Sequence, residues 1–126
     1  MPTNALRRSL RPVLSFAPAS APEEAFQNDT LRPIMKLQHD HLLAVFRLFL
    51  TKRKVKIEQL PAAKRFEKIK ELVTRDNRLR GLLFGIAIGQ FTDDEMAYYL
   101  ENDGAVNRRI TNLVAERLTS VFVVSE

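Results

Sequence analysis

Apolar residues recur along most of the chain at the three- and four-residue spacing of amphipathic helices. Alternating apolar and polar runs, and the turn dipeptides that join paired strands, are missing, so the pattern favours helices over strands. The pattern predicts five helices, over residues 31–52, 61–74, 77–90, 93–102 and 105–121. The expected fold class is all-α, a compact bundle from residue 29 to residue 122, with a frayed end at residues 123–126.

The first predicted helix has a wide apolar face. Its main stripe consists of Leu31, Met35, Leu42, Val45, Phe46 and Phe49, and it is widened by Ile34, Leu37 and Leu48. A face of this width predicts burial against at least two neighbouring helices. Asp29 or Thr30 is the expected N-cap, and Pro33 falls in the first turn, where its missing N–H costs little.

The third predicted helix is apolar almost all round and is expected to lie at the centre of the bundle. The expected inward residues of the later helices are Phe66, Ile69, Leu72 and Val73, then Leu79, Leu82, Leu83, Phe84, Ile86 and Ile88, then Met96, Tyr99 and Leu100, and finally Val106, Ile110, Leu113, Val114, Leu118 and Val121. Asp76 or Asn77 is the expected N-cap of the third helix. Thr92 and Glu95 form a capping box for the fourth, which Gly104 is expected to end in a left-handed conformation.

Three glycines, Gly81, Gly85 and Gly89, follow one side of the third predicted helix at four-residue spacing. Each glycine lowers helix stability by about 1 kcal/mol relative to alanine, so a compensating interaction is expected. The favoured interpretation is close approach of another helix to this face. The alternative is a flat groove for a ligand or a partner helix.

The N-terminal segment, residues 1–28, holds four of the six prolines and none of the glycines, which predicts a flexible tail. Arg7, Arg8 and Arg11 make its first part basic. No continuous apolar region follows these arginines, so the segment does not match a secretory signal. Two alternatives stay open, a cleaved organelle transit peptide and a basic bacterial tail that is retained.

The formal net charge is +5 and is unevenly distributed. Residues 30–70 hold eleven Lys and Arg residues and three acidic residues, a net charge of +8, whereas residues 71–126 carry a net charge of −3. The basic surface expected from this distribution consists of Arg47, Lys52, Arg53, Lys54, Lys56, Lys64, Arg65 and Lys68. It is expected to bind a protein partner or an RNA-containing nucleoprotein, with a solvated face that binds nothing as the alternative. The neighbouring aromatic residues are assigned to the core, so base stacking is not expected.

The chain has no Cys and only two His, which excludes disulfides, thiolate zinc sites and Cys nucleophiles. His39 and His41 lie two residues apart on a predicted helix, so their rings face opposite ways and no metal site is predicted. His41 is expected to be half-buried and hydrogen-bonded, and His39 and Asp40 to be exposed. No cofactor or catalytic residue is predicted. No apolar run approaches the roughly 20 residues of a membrane-spanning helix, and a cytoplasmic location is expected.

Charged residues near the starts of the last two helices are interpreted as structural. The acidic set, expected to be exposed capping residues rather than a catalytic pair, consists of Asp93, Asp94 and Glu95. The basic set, expected to form an internal clamp with Glu101, Asp103 or Asp93, consists of Arg108 and Arg109.

Three segments resemble those of a family of small bacterial proteins: FQNDTLRPIMKLQ at residues 26–38, LLFGIAIGQFT at residues 82–92 and NRRI at residues 107–110. The resemblance covers about residues 26–120. Members of that family often carry the label glyoxalase, which implies either His, Gln and Glu ligands on strands or a His-x-His-x-Asp-His motif. This chain has neither pattern, so no catalytic residue is carried over from the label.

The favoured function is that of a non-enzymatic adaptor, which engages its partner through the basic surface and the arginines of the N-terminal segment. Two alternatives remain. One is a glyoxalase-type lyase that depends on a metal and on His41. The other is a structural subunit that forms a homo-oligomer through exposed parts of its apolar stripes or through the glycine face.

Overall fold

The computed structural model of the chain describes residues 2–122, and the regular structure within this range is helical throughout. The predicted all-α fold class is therefore confirmed. The α-helices are α1 (Pro2–Ser9), α2 (Pro22–Phe26), α3 (Arg32–Leu37), α4 (His39–Lys52), α5 (Ala62–Arg75), α6 (Asn77–Ile88), α7 (Asp93–Glu101) and α8 (Asp103–Phe122). A π turn (Gln27–Leu31) joins α2 to α3 without a break, and a 3₁₀ turn (Ile57–Gln59) precedes α5.

The prediction of five helices is an undercount, because α1 and α2 lie in the N-terminal segment and the first predicted helix is divided. The division falls at Gln38, whose φ of −96° and ψ of 13° interrupt the helix between α3 and α4. Pro33 cannot donate a backbone hydrogen bond to the preceding turn, and that turn takes the wider π form. The flexibility of residues 1–28 stays a prediction, and the predicted frayed end at residues 123–126 lies outside the described residues.

The core forms around α8, which packs most extensively along α5 and also contacts α3, α4, α7 and the π turn. A second layer is formed where α6 packs against α4 and α5. The largest fully buried side chains are Leu31, Ile34, Met35, Leu42, Phe46, Ile57, Ile69, Leu79, Leu83, Ile110 and Leu118. Most of these residues belong to the predicted stripes, because a face with helical periodicity has to be buried to stabilise the fold.

Four apolar residues that were predicted to face inward are exposed instead. Their exposed fractions are 49% for Leu48, 40% for Phe66, 47% for Leu82 and 69% for Leu100. The prediction that the third helix is central is also wrong, because one side of α6 faces solvent while α8 occupies the centre. No helix within residues 2–122 combines the length and the apolar character needed to cross a bilayer.

The glycine face of α6 lies on its exposed side. A Cβ atom added to Gly81 or Gly85 would meet nothing within 4 Å, and one added to Gly89 would lie 2.9 Å from the carbonyl oxygen of Gly85 in the same helix. The predicted close approach of another helix to this face is therefore not found within the described part of the chain. The left-handed conformation expected at Gly104 is also wrong, since this residue lies in the first turn of α8 and no glycine has a positive φ among residues 2–122.

Two other predicted helix starts agree with the structure, whereas the N-cap expected at Asp29 or Thr30 is wrong, because helical chain runs through both residues from α2. The Thr92 hydroxyl accepts a hydrogen bond from the Glu95 backbone N–H, and the Glu95 carboxylate accepts one from the Thr92 backbone N–H. This reciprocal pair confirms the capping box at the start of α7. Asp76 caps α6 by accepting a hydrogen bond from the Leu79 backbone N–H.

Candidate functional site

The end of α4, the loop that follows it and the end of α8 enclose an open groove of about 540 Å³, which we call the basic groove. Leu50, Val55 and Phe122 supply its apolar surface. Its cationic side chains are those of Arg47, Lys54 and Lys56, and its lining is completed by Thr51 and Glu58. The groove thus presents three positive charges and one negative charge around an apolar floor.

The shape of the groove follows from the way α4 ends. The Lys54 N–H donates to the Thr51 carbonyl oxygen, and the Val55 N–H donates to the Leu50 carbonyl oxygen. These two bonds form a Schellman motif, in which an apolar contact commonly joins the two residues that here are Leu50 and Val55. Both side chains line the groove, so the motif that stops the helix also supplies part of the groove's floor.

Lys54 occupies the position of the Schellman motif that favours glycine. Its φ is 56°, and no other non-glycine residue within residues 2–122 has a positive φ. In the left-handed backbone conformation, a residue with a Cβ is less stable than glycine by about 1 kcal/mol, because the Cβ approaches the following carbonyl oxygen. The chain therefore keeps a long cationic side chain at the edge of the groove despite a cost in stability.

The structure divides the predicted basic surface into residues that line the groove, namely Arg47, Lys54 and Lys56, and residues that do not. Lys52 and Lys64 are exposed but do not line the groove, and the Lys68 ammonium lies 3.6 Å from the Glu71 carboxylate. Arg53 binds Asp76 through its Nε, 2.8 Å from Oδ2. This hydrogen bond holds the pKa of the Asp76 carboxyl below its ordinary value, although burial acts in the opposite direction.

Arg65, which was predicted to lie on the basic surface, is only 7% exposed. Its guanidinium donates to the backbone carbonyl oxygens of Glu58, Leu60 and Phe122 at 3.1, 2.9 and 2.8 Å. It therefore ties the loop before α5 to the end of α8, and both ends of this connection border the groove. Arg65 positions the walls of the groove rather than lining it.

The arginines of the N-terminal segment, which were predicted to engage a partner, bind the turn between α6 and α7. Arg7 donates to the Phe91 carbonyl oxygen at 3.2 Å, and Arg8 lies 3.4 Å from the Thr92 hydroxyl. Arg11 donates to the Gln90 carbonyl oxygen at 2.6 Å and to both carboxylate oxygens of Glu95 at 2.8 Å. These arginines do not line the basic groove, so the structure does not combine the two basic regions into one site.

Glu95 is buried, which corrects the expectation that it is an exposed cap, whereas Asp93 and Asp94 are exposed as expected. Burial raises the pKa of its carboxyl, but hydrogen bonds from Arg11, the Thr92 backbone and the Thr30 hydroxyl outweigh burial and hold the pKa below the ordinary value of 4.5. Glu95 stays ionised at neutral pH and has a structural role. Its involvement with the first residues of the chain had no local signal in the sequence.

The expected positions of the two histidines are reversed. His41 is exposed, whereas His39 is partly buried, with its Nδ1 3.3 Å from a terminal nitrogen of Arg117. The reason is that α4 begins at His39, beside the side chain of Arg117 on α8. No group of three or more His, Asp and Glu side chains that could hold a metal ion is found within residues 2–122.

The expected clamp of Arg108 and Arg109 with Glu101 or Asp103 is absent from the described part of the chain. Arg109 instead donates to the side-chain oxygen of Gln27 at 2.9 Å, and Arg108 is exposed. The π turn brings Gln27 against α8, a contact between residues 82 positions apart. Spacing within one helix could not have revealed it.

Leu50, Val55 and Phe122 were not predicted to be groove residues. One local signal was present, the five-residue interval between Leu50 and Val55 across a predicted helix end, which fits the apolar contact of a Schellman motif. Phe122 had no such signal, because its place depends on how α8 packs.

Comparison of the chain with protein-family models, with curated proteins and with solved structures gives no match. The resemblance to the family labelled glyoxalase therefore stays a prediction.

Proposed function

We propose that the protein is a non-enzymatic adaptor that binds an acidic segment of a partner protein in the basic groove. The observation that carries the proposal is Lys54, which keeps a cationic side chain in a left-handed conformation beside an apolar floor. Backbone conformations of this kind are concentrated at binding sites, where the cost in stability is balanced by function.

The composition of the groove favours a protein segment over a nucleic acid. A phosphate backbone is bound mainly through many cationic contacts, and base stacking needs exposed aromatic faces. The groove offers three cationic side chains, and its one aromatic residue, Phe122, is 7% exposed with the Arg47 guanidinium carbon 5.8 Å from its ring centroid. An acidic peptide with an apolar side chain matches both the charges and the floor, and an RNA partner is an outcome of the test below.

The double substitution Lys54→Glu with Lys56→Glu is expected to weaken partner binding at least about tenfold, because it reverses two of the three positive charges at the groove. The measurement is a tagged pull-down of the full chain from its host after nuclease treatment, read by mass spectrometry, followed by titration of the recovered partner. The matched control is Lys64→Glu with Lys70→Glu, two exposed lysines of α5 outside the groove. Equal loss in both variants, or a partner that disappears with nuclease, would contradict the proposal.

The substitution Lys54→Gly is expected to raise the free energy of unfolding by about 1 kcal/mol, because it removes the strain of a side chain on a left-handed backbone conformation. The same change is expected to weaken partner binding, because it removes a groove cation. The control is Lys56→Gly, at a φ of −107°, which removes a groove cation without relieving strain and is expected to give no gain in stability. Urea unfolding measures the change in stability. If Lys54→Gly binds the partner as tightly as the unsubstituted chain does, the proposed role of Lys54 is wrong.

A further inference from the structure

A second pocket, of about 330 Å³, lies between α3, α8 and the chain that precedes α2. Arg32 and Met35 line it from α3, Leu113 and Arg117 from α8, and Leu14 and Phe16 from the N-terminal segment. Glu116 and Ser120 complete the lining at exposed positions. The pocket shares no lining residue with the basic groove, and no role proposed above uses it.

Two arginines line this pocket, and the guanidinium group of each contacts a neighbouring side chain. The Arg32 Nε donates to the Asn28 side-chain oxygen at 3.3 Å, and its guanidinium carbon lies 5.7 Å from the centroid of the Phe16 ring. A terminal nitrogen of Arg117 lies 3.3 Å from Nδ1 of His39. Neither contact neutralises a positive charge, because neither hydrogen-bonding partner, Asn28 or His39, carries a negative charge.

Neither arginine of this pair forms an ion pair within the described part of the chain. No carboxylate within residues 2–122 lies in ion-pair distance of either arginine, although the exposed Glu116 also lines the pocket. Burial lowers the pKa of Arg117, and the positive charge of Arg32 lowers it further. Two partly buried like charges repel each other, so an anion between them would stabilise the arrangement.

We infer that this pocket binds a small organic carboxylate with a short apolar chain. The two guanidiniums supply the planar, multiply hydrogen-bonding groups that recognise a carboxylate. Leu14, Met35 and Leu113 supply apolar surface for the remainder of the ligand. A volume of about 330 Å³ lies at the small end of the range for ligand pockets, which fits a carboxylate of a few carbons.

The test is titration of the full chain with sodium hexanoate, followed through the Nε–Hε resonances of the arginines by NMR. The expected result is a saturable shift at Arg32 and Arg117 with a dissociation constant on the order of 1 mM. Hexylammonium, which has the same chain and the opposite charge, and inorganic phosphate, which has no apolar chain, are expected to bind at least about tenfold more weakly. Equal binding of either probe would overturn the inference, as would the absence of a saturable shift.

The substitution Arg117→Gln is expected to weaken hexanoate binding at least about tenfold, because it removes one of the two guanidiniums. The matched control is Arg108→Gln, an exposed arginine of the same helix outside the pocket, which is expected to leave binding unchanged. Circular dichroism checks that the variants fold, and Arg32→Gln serves as a second pocket variant should Arg117→Gln fail this check. Unchanged binding in a folded pocket variant would contradict the inference.

Discussion

Replacing Glu95 with alanine is expected to lower the free energy of unfolding by about 3–5 kcal/mol, because it leaves the buried positive charge of Arg11 without a carboxylate to pair with. The Arg11 side chain is 6% exposed, and both of its bonds to the carboxylate measure 2.8 Å. The same substitution also removes the reciprocal bond that caps α7 and the acceptor of the Thr30 hydroxyl. Urea unfolding followed by circular dichroism measures the effect. The control is Asp94→Ala, an exposed acid one residue away, with an expected loss below about 1 kcal/mol.

The dependence of this effect on pH provides a second check. Because the pKa of Glu95 is lower in the folded chain than its ordinary value of 4.5, its stabilising contribution is present above that value. The contribution is lost as the pH falls through the lowered pKa of the folded state. The stability difference between the original chain and Glu95→Gln is therefore expected to narrow between pH 7 and about pH 3. A difference that stays constant over this range would show that the ionised carboxylate is not the source of the effect.

Replacing Phe46 with alanine is expected to lower the free energy of unfolding by about 3–5 kcal/mol, through lost burial and the cavity left behind. Phe46 is fully buried, and its ring centroid lies 5.7 Å from that of Phe122 in an edge-to-face contact. The matched control is Leu48→Ala in the same helix, where 49% of the residue is already exposed and the expected loss is below about 1 kcal/mol. Thermal and urea unfolding measure both variants, and similar losses in the two would disprove this placement of α4.

The contrast between Phe46 and Leu48 also shows what helical periodicity predicts. Spacing identified the face of α4 that carries Leu42, Phe46 and Phe49, and all three are buried. It did not identify the edge of that face, because the edge is set by the position of the neighbouring helices. Phe66 and Leu100 were misplaced for the same reason, since each lies where a stripe meets solvent.

The contacts of the N-terminal segment could not be predicted from local patterns. Its proline-rich composition is typical of flexible chain, and the segment nevertheless holds two short helices. The partner of Arg11 lies 84 residues away, and a capping box at Thr92 and Glu95 accounts for only part of the carboxylate's bonds. The remaining bonds depend on tertiary packing, which a sequence pattern with a period of a few residues does not contain.

The region of the candidate site was predicted, but the positions of its side chains were not. Lys54 and Lys56 were identified by charge, and they line the groove. Arg53 and Arg65 were included on the same ground, although one binds Asp76 and the other binds backbone carbonyls. Charge alone does not distinguish a cationic side chain that is exposed to solvent from one that stabilises the fold, because both types occur at the same spacing along a helix.

The bond between Arg11 and Glu95 has a consequence for the order in which parts of the chain fold during synthesis. At about 5–20 residues per second, the 84 residues that separate the two partners take about 4–17 s to translate. Throughout that interval the growing chain carries the three arginines without the turn that they bind. The segment that carries these arginines is thus among the last parts to reach its final position, and a nascent chain stalled before residue 90 is expected to leave them accessible to a protease.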